Sequence, residues 1–135
     1  MPAGSGPQVN RTTAVSVAAA EVVLATIPPS NWSGSPLGNL ISASVNFTPG
    51  TSQTSTTLRI RQGSGTGGAL VGIAHVVTTI AGAPIELAVQ EQDVSAFATG
   101  PQQGAQYTLT GQTNAAGPGT ANSALIELET VAPVQ

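Results

Sequence analysis

The chain has no cysteine and no lysine, 3% aromatic residues and only 7% charged residues. An ordinary globular domain carries about 25% charge. Without cysteine, disulfides, thiol catalysis and zinc–thiolate sites are excluded. Without lysine, no Gly-Lys-Ser/Thr phosphate loop can exist. The cations are Arg11, Arg59 and Arg61, against Glu21, Glu86, Glu91, Asp93, Glu127 and Glu129, for a net charge of -3. Three scattered arginines cannot line a basic groove, so no nucleic-acid partner is expected. The longest apolar run, Ala14–Ile27, is interrupted by Ser16, Glu21 and Thr26 and falls short of the ~20 residues that cross a bilayer, so no membrane partner is expected either. Arg11 before that run and Ala18–Ala20 within it mimic a secretory signal. Glu21 inside the apolar region argues against one, and the expectation is a protein made and used without that route.

What remains is Thr, Ser, Gln, Asn, Gly and Ala around a core of Val, Ile, Leu and Ala. At 135 residues and 13.3 kDa there is room for one domain. By size scaling it folds from about 19,000 Å² of surface to roughly 6,500 Å². A free monomer normally stays soluble behind a surface of about 25–35% charged residues. The neutral hydroxyls and amides here cost less than ions to desolvate, which suits a chain packed against copies of itself or a partner.

Met1–Asn10, with two Pro, two Gly and no apolar period, reads as a flexible arm, leaving 11–135 as the domain. Ile41, Ala43, Val45 and Phe47 alternate with Ser42, Ser44, Asn46 and Thr48 until Pro49-Gly50 stops the run. Leu58–Arg61, Ala69–Thr79, Ile85–Gln90, Tyr107–Thr110 and Ala124–Glu129 follow as strands, and Thr12–Val17 and Glu21–Ile27 precede them. Short strands evenly spaced between Gly, Pro, Asn, Ser and Thr predict an all-β fold: an antiparallel β-sandwich or jelly roll of about eight strands with an extended N-terminal arm. The one competing helix is Ala14–Leu24, on its alanine content. The apolar phase of the strands predicts a core of Ile41, Val45, Phe47, Leu58, Ile60, Ile85, Leu87, Val89, Tyr107, Leu109, Ile126 and Leu128.

Several patterns imitate chemistry. Gly63–Gly68 matches G-x-G-x-x-G, but that motif needs a following helix to hold a pyrophosphate, and Ala69–Ile73 reads as a strand. The segment is expected to be a hairpin loop. His75 is the sole histidine, with no G-x-S-x-G elbow anywhere, so neither a multi-histidine metal site nor a serine hydrolase is expected. It reads as a strand residue at a surface or interface. Glu91 with Asp93, and Glu127 with Glu129, could each offer two carboxylates to Ca²⁺, yet the solvated outer face of an antiparallel sheet accounts for both pairs. Arg59 and Arg61 share one strand face, where Glu86 or Glu127 and Glu129 are candidate partners. The sequons at Asn10, Asn31 and Asn46 accompany no secretory signal and are discounted. No catalytic residue, metal or cofactor is expected. Trp32 lies in the Pro- and Gly-rich loop Ser30–Asn39, as an interface anchor or a lid over the core.

The stretch Thr56–Thr130 resembles small jelly-roll structural proteins of tailed-phage virions. The residues that carry the likeness are Thr56–Arg61 before a Gly-rich turn, Leu70-Val71-Gly72, Ala105–Thr110, the Gly-rich loop Asn114–Thr120, and the closing strand Ala124–Glu129. The resemblance implies a head decoration, or cement, protein, commonly a homo-trimer. Its partner would be the major capsid protein, on the capsid exterior of the virion, after synthesis in the host cytoplasm. A receptor-binding or fibre/spike module is the alternative, and an enzyme or small-ligand carrier a third class. The expected partner-contact residues are Pro2, Gln8, Val9, Asn10, Arg11 and Trp32, with the arm lying on a neighbouring chain.

Overall fold

The structure, a computed structural model, describes residues 5–27, 39–93 and 106–130. It has nine strands: β1 (Ser5–Arg11), β2 (Val15–Val17), β3 (Val22–Thr26), β4 (Asn39–Thr48), β5 (Ser55–Gln62), β6 (Leu70–Thr78), β7 (Ile85–Asp93), β8 (Tyr107–Thr113) and β9 (Gly119–Thr130). One sheet runs β1-β9-β4-β7, with β2 also paired to β9, and the other runs β3-β8-β5-β6. Every pairing is antiparallel. Only β5 and β6 are consecutive strands hydrogen-bonded to each other; elsewhere the chain passes from one sheet to the other. That wrapping is a jelly roll, as the spacing of the strands predicts.

Two segments differ from the sequence reading. Ser5–Asn10 are not a free arm. They belong to β1, where Val9 pairs with Ile126 and Asn10 with Leu125, and Val9 packs against the core. Pro and Gly weaken strand propensity, but the open side of β9 supplies a ladder that outweighs it. Ala14–Leu24 is not a helix, and no helix occurs among the described residues. The alanines form the crossing between sheets, where β8 uses their carbonyls: Thr113 N donates to Ala18 O (2.9 Å) and Gln112 Nε2 to Ala19 O (2.8 Å). The β-branched residues on either side (Val15, Val17, Val22, Val23) enter the two sheets.

The core fills the space between the sheets. β4 alternates buried and half-buried along its whole length, and Ile41, Ala43, Val45 and Phe47 meet Ile126, Leu128 and Ala124 of β9 and Leu87 and Val89 of β7. Leu58, Ile60, Tyr107, Leu109 and Leu24 close the core from the other sheet. Of the expected core, only Ile85, at the start of β7, is half-buried rather than buried. Each of these aliphatic side chains contributes about 1.5–3 kcal/mol by leaving water, which makes an aromatic-poor core sufficient.

The hairpin β5–β6 holds the one large irregularity near an edge. Leu58 pairs with His75 and Ile60 with Val71, so Gly72-Ile73-Ala74 stand opposite the single residue Arg59. Gly72 makes this bulge with φ of +72°, and a side chain there would also collide with the Glu91 carboxylate. Gly63–Gly68 is the expected hairpin loop, and no helix follows it.

Candidate functional site

Three polar clusters and one groove stand out. On the outer face of β3-β8-β5-β6, Glu21 enters just before β3 and reaches across β8 to β5. Arg61 grips its carboxylate with both Nε (2.6 Å) and Nη2 (2.9 Å), and Thr110 Oγ1 donates at 2.6 Å. Arg59 Nη1 lies 3.4 Å from the same carboxylate and donates to Gln112 Oε1 at 2.8 Å. Arg61 also donates to Gly68 O (2.9 Å), tying down the hairpin loop. The hydrogen bond from Arg61 holds the Glu21 carboxyl below its ordinary range, and burial opposes this. Thr108, beside the network, is fully buried, pairs with Thr26 Oγ1 and donates to Gly63 O at 2.6 Å. The expected partners of the arginines are therefore corrected: Glu21 takes both, while Glu86 instead accepts from Asn46 Nδ2. The separation of Glu21 from β5 in sequence hides a proximity that only the β3-β8-β5 order creates.

At one end of the sandwich, where β4 and β8 begin and β7 ends, lies an interior cluster. Tyr107 Oη donates to Asp93 Oδ2 (2.7 Å), Gln62 Nε2 donates to the same oxygen (3.0 Å), and Asn39 Nδ2 donates to Tyr107 Oη (3.0 Å). Burial pushes the Tyr107 hydroxyl well above its ordinary range, and Asp93 adds to this. The buried Asn39 Oδ1 accepts no hydrogen bond. At the other end, buried Gln53 donates to Val17 O and Ala115 O and accepts from Gly50 N, pinning three loops with one side chain.

His75 faces inward at the open side between β6 and β7, with Nε2 2.9 Å from Glu91 Oε1. This corrects the placement of Glu91 and Asp93 on a solvated outer face. The inward phase of Leu87 and Val89 simply continues through them, and the polar ends of the sandwich accommodate the carboxylates. Glu127 does project outward, opposite Ser42. Among the described residues no three His, Cys, Asp or Glu side chains gather as a metal site would require.

The groove lies on the outer face of β7-β4-β9. It encloses about 410 Å³ between Ser42 and Ser44 of β4, Ala88 and Gln90 of β7, and Leu125 and Glu127 of β9. Sequence reasoning missed it, because a concavity made of small side chains leaves no motif. Of the expected contact residues, Gln8 and Asn10 are exposed on β1, Val9 and Arg11 are half-buried there, and Pro2 and Trp32 lie outside the described residues.

No family model matches the chain, and no curated protein matches it. Solved structures do share its fold. Eiger TNF from S. frugiperda superposes with a TM-score of 0.55 at 8% identity, over 96% of each chain. The D431N mutant VP2 protein of infectious bursal disease virus, in derived T=1 particles, superposes with a TM-score of 0.54 at 13% identity, over 90% of this chain and 31% of that one. This chain thus spans about a third of the length of that viral protein. A Bacillus endospore appendage pilus protein is more distant in structure, with a TM-score of 0.44 at 17% identity, over 98% and 90% of the two chains. The common element is the jelly roll, which hosts unrelated functions.

Proposed function

We propose that the protein is a structural component of a virion, a capsid decoration protein that binds and stabilises the major capsid lattice from outside as a homo-trimer, without catalysis. The observation that carries this reading is the pairing of a viral-capsid-type jelly roll with an almost uncharged, lysine-free composition. Such a chain gains little from standing alone in solvent and loses little when its Thr, Ser and Gln surface is covered. The outer face of β7-β4-β9 suits a broad contact, since Ser42, Ser44 and Ala88 offer no long side chain to immobilise. The exposed Gln8 and Asn10 on β1 add neutral hydrogen-bonding groups at the edge of the same sheet. Synthesis in the host cytoplasm and placement on the capsid exterior follow from the reading.

The test is to add purified protein to pre-formed capsids lacking decoration. Saturable co-sedimentation with a raised capsid melting temperature is expected. Binding to host cell surfaces with none to capsids would replace this reading by a receptor-binding or fibre module.

A further inference from the structure

Leu70, Ile73, Val76 and Ile80 are the large apolar side chains left exposed among the described residues, and all lie on β6 or just after it. Ile73, Val76 and Ile80 are 64%, 67% and 74% exposed. Together the four present about 450 Å² of apolar surface, the size at which a patch on a monomer marks an interaction site. Exposed Thr78, Ala83 and Pro84 extend it toward the ~800 Å² per partner of a stable interface. β6 is also a sheet edge with unpaired outward N–H groups, and no lysine guards it.

We infer that this β6 ridge docks into the groove on the outer face of β7-β4-β9 of a second copy of the chain. The proposal rests on the reading above only for the expectation that copies associate. Charge favours a second copy: Leu70–Ile80 contains no acid, so the ridge brings no carboxylate to the groove's Glu127. Its edge N–H groups are the complement of the Glu127 and Gln90 oxygens. The small side chains Ser42, Ser44 and Ala88 leave room for the branched side chains of the ridge. Direct β6–β6 pairing is disfavoured by the Gly72 bulge, which breaks the regular ladder in the middle of the strand.

Ridge and groove are different surfaces that adjoin at β7, one on an edge of the sandwich and one on a face. No copy fills its own groove. Each uses both surfaces on different neighbours, a heterologous contact that closes into a small ring.

Sedimentation velocity on the purified chain tests this. The wild type is expected as a closed oligomer at 100 µM (~100 µM being well above a micromolar dissociation constant). Ile73→Asp with Val76→Asp removes the ridge, and Ala88→Arg fills the groove; each variant alone should be monomeric. An equimolar mixture of the two should form a one-to-one dimer and nothing larger, since one intact ridge and one intact groove remain. A monomeric wild type, a variant that keeps the wild-type mass, or a mixture that stays monomeric would each overturn the proposal. Should either variant fail to melt cooperatively, Ile80→Ser and Gln90→Arg replace them, with at least a tenfold loss of association expected and an unchanged dissociation constant overturning it. Capsid binding by the same variants is scored separately. Monomers that still bind capsids leave the decoration reading intact, whereas oligomers that ignore capsids sink that reading alone.

Discussion

On the outer face of β3-β8-β5-β6, Glu21, Arg59 and Arg61 interlock above buried threonines. On the outer face of β7-β4-β9, the equivalent layer is Ser42, Ser44, Ala88 and Leu125 around an open groove. The chain has three cations, and two of them are committed to the first face. That face is closed by its own side chains, with Thr108 and Thr110 fully buried although they point away from the core. The second face carries no such cover. A face that satisfies its polar groups internally has little to offer a partner, whereas a neutral face with small side chains can be covered at low cost.

Substitutions sharpen the contrast. The reference for a catastrophic change is Leu109→Asp on the core side of β8, which buries an unpaired charge at a fully enclosed position. It should cost more than about 4 kcal/mol, most of a typical domain's stability, and yield no soluble, cooperatively melting protein. Next comes Thr108→Asp on the opposite side of the same strand. Ordinary alternation makes this an outward, tolerant position, but its hydroxyl donates to Gly63 O in a buried site. A carboxylate there cannot donate, and a loss of about 3 kcal/mol is expected in denaturant titration. Ser16→Asp, exposed on β2 of the other sheet, should stay within about 0.5 kcal/mol. Equal effects at the two positions would erase the distinction between the faces.

Glu21→Gln should cost about 2 kcal/mol at pH 7, because two arginines lose their shared counter-charge. The folded-state pKa of Glu21 lies below its ordinary 4.5. The stabilisation it supplies is therefore complete above that value and disappears as pH falls through the lower folded value. Wild type and Glu21→Gln should converge in stability below pH 4.5 and keep a constant gap above it; a gap that persists at the lowest pH would remove Glu21 as the cause. The smallest of the destabilising changes is Tyr107→Phe, which deprives Asp93 and Asn39 of one partner each at the end of the sandwich. A loss of about 1.5 kcal/mol is expected, read as a melting temperature lower by several degrees.

The period-two alternation of β4, β5, β7, β8 and β9 was legible from residues alone. It identified the jelly-roll class and nearly the whole core, because burial on one face of a strand imposes a pattern at two-residue spacing. The hairpin nature of Gly63–Gly68 was legible too, from the strand that follows it. The pairing of Glu21 with Arg59 and Arg61, the burial of Thr108 and Thr110, the contact of His75 with Glu91 and the groove itself were not. Each depends on which strands become neighbours, and in a jelly roll nearly every neighbour is distant in sequence. Ser5–Arg11 shows the same limit from the other side. Its Pro and Gly content describes a segment with weak preferences, and β9 supplies the unpaired ladder that makes it a strand. Composition and alternation determined an antiparallel sandwich with a neutral surface, since both are set residue by residue. Tertiary structure alone decided where the few charges meet and which face is left open, because those are properties of strand order.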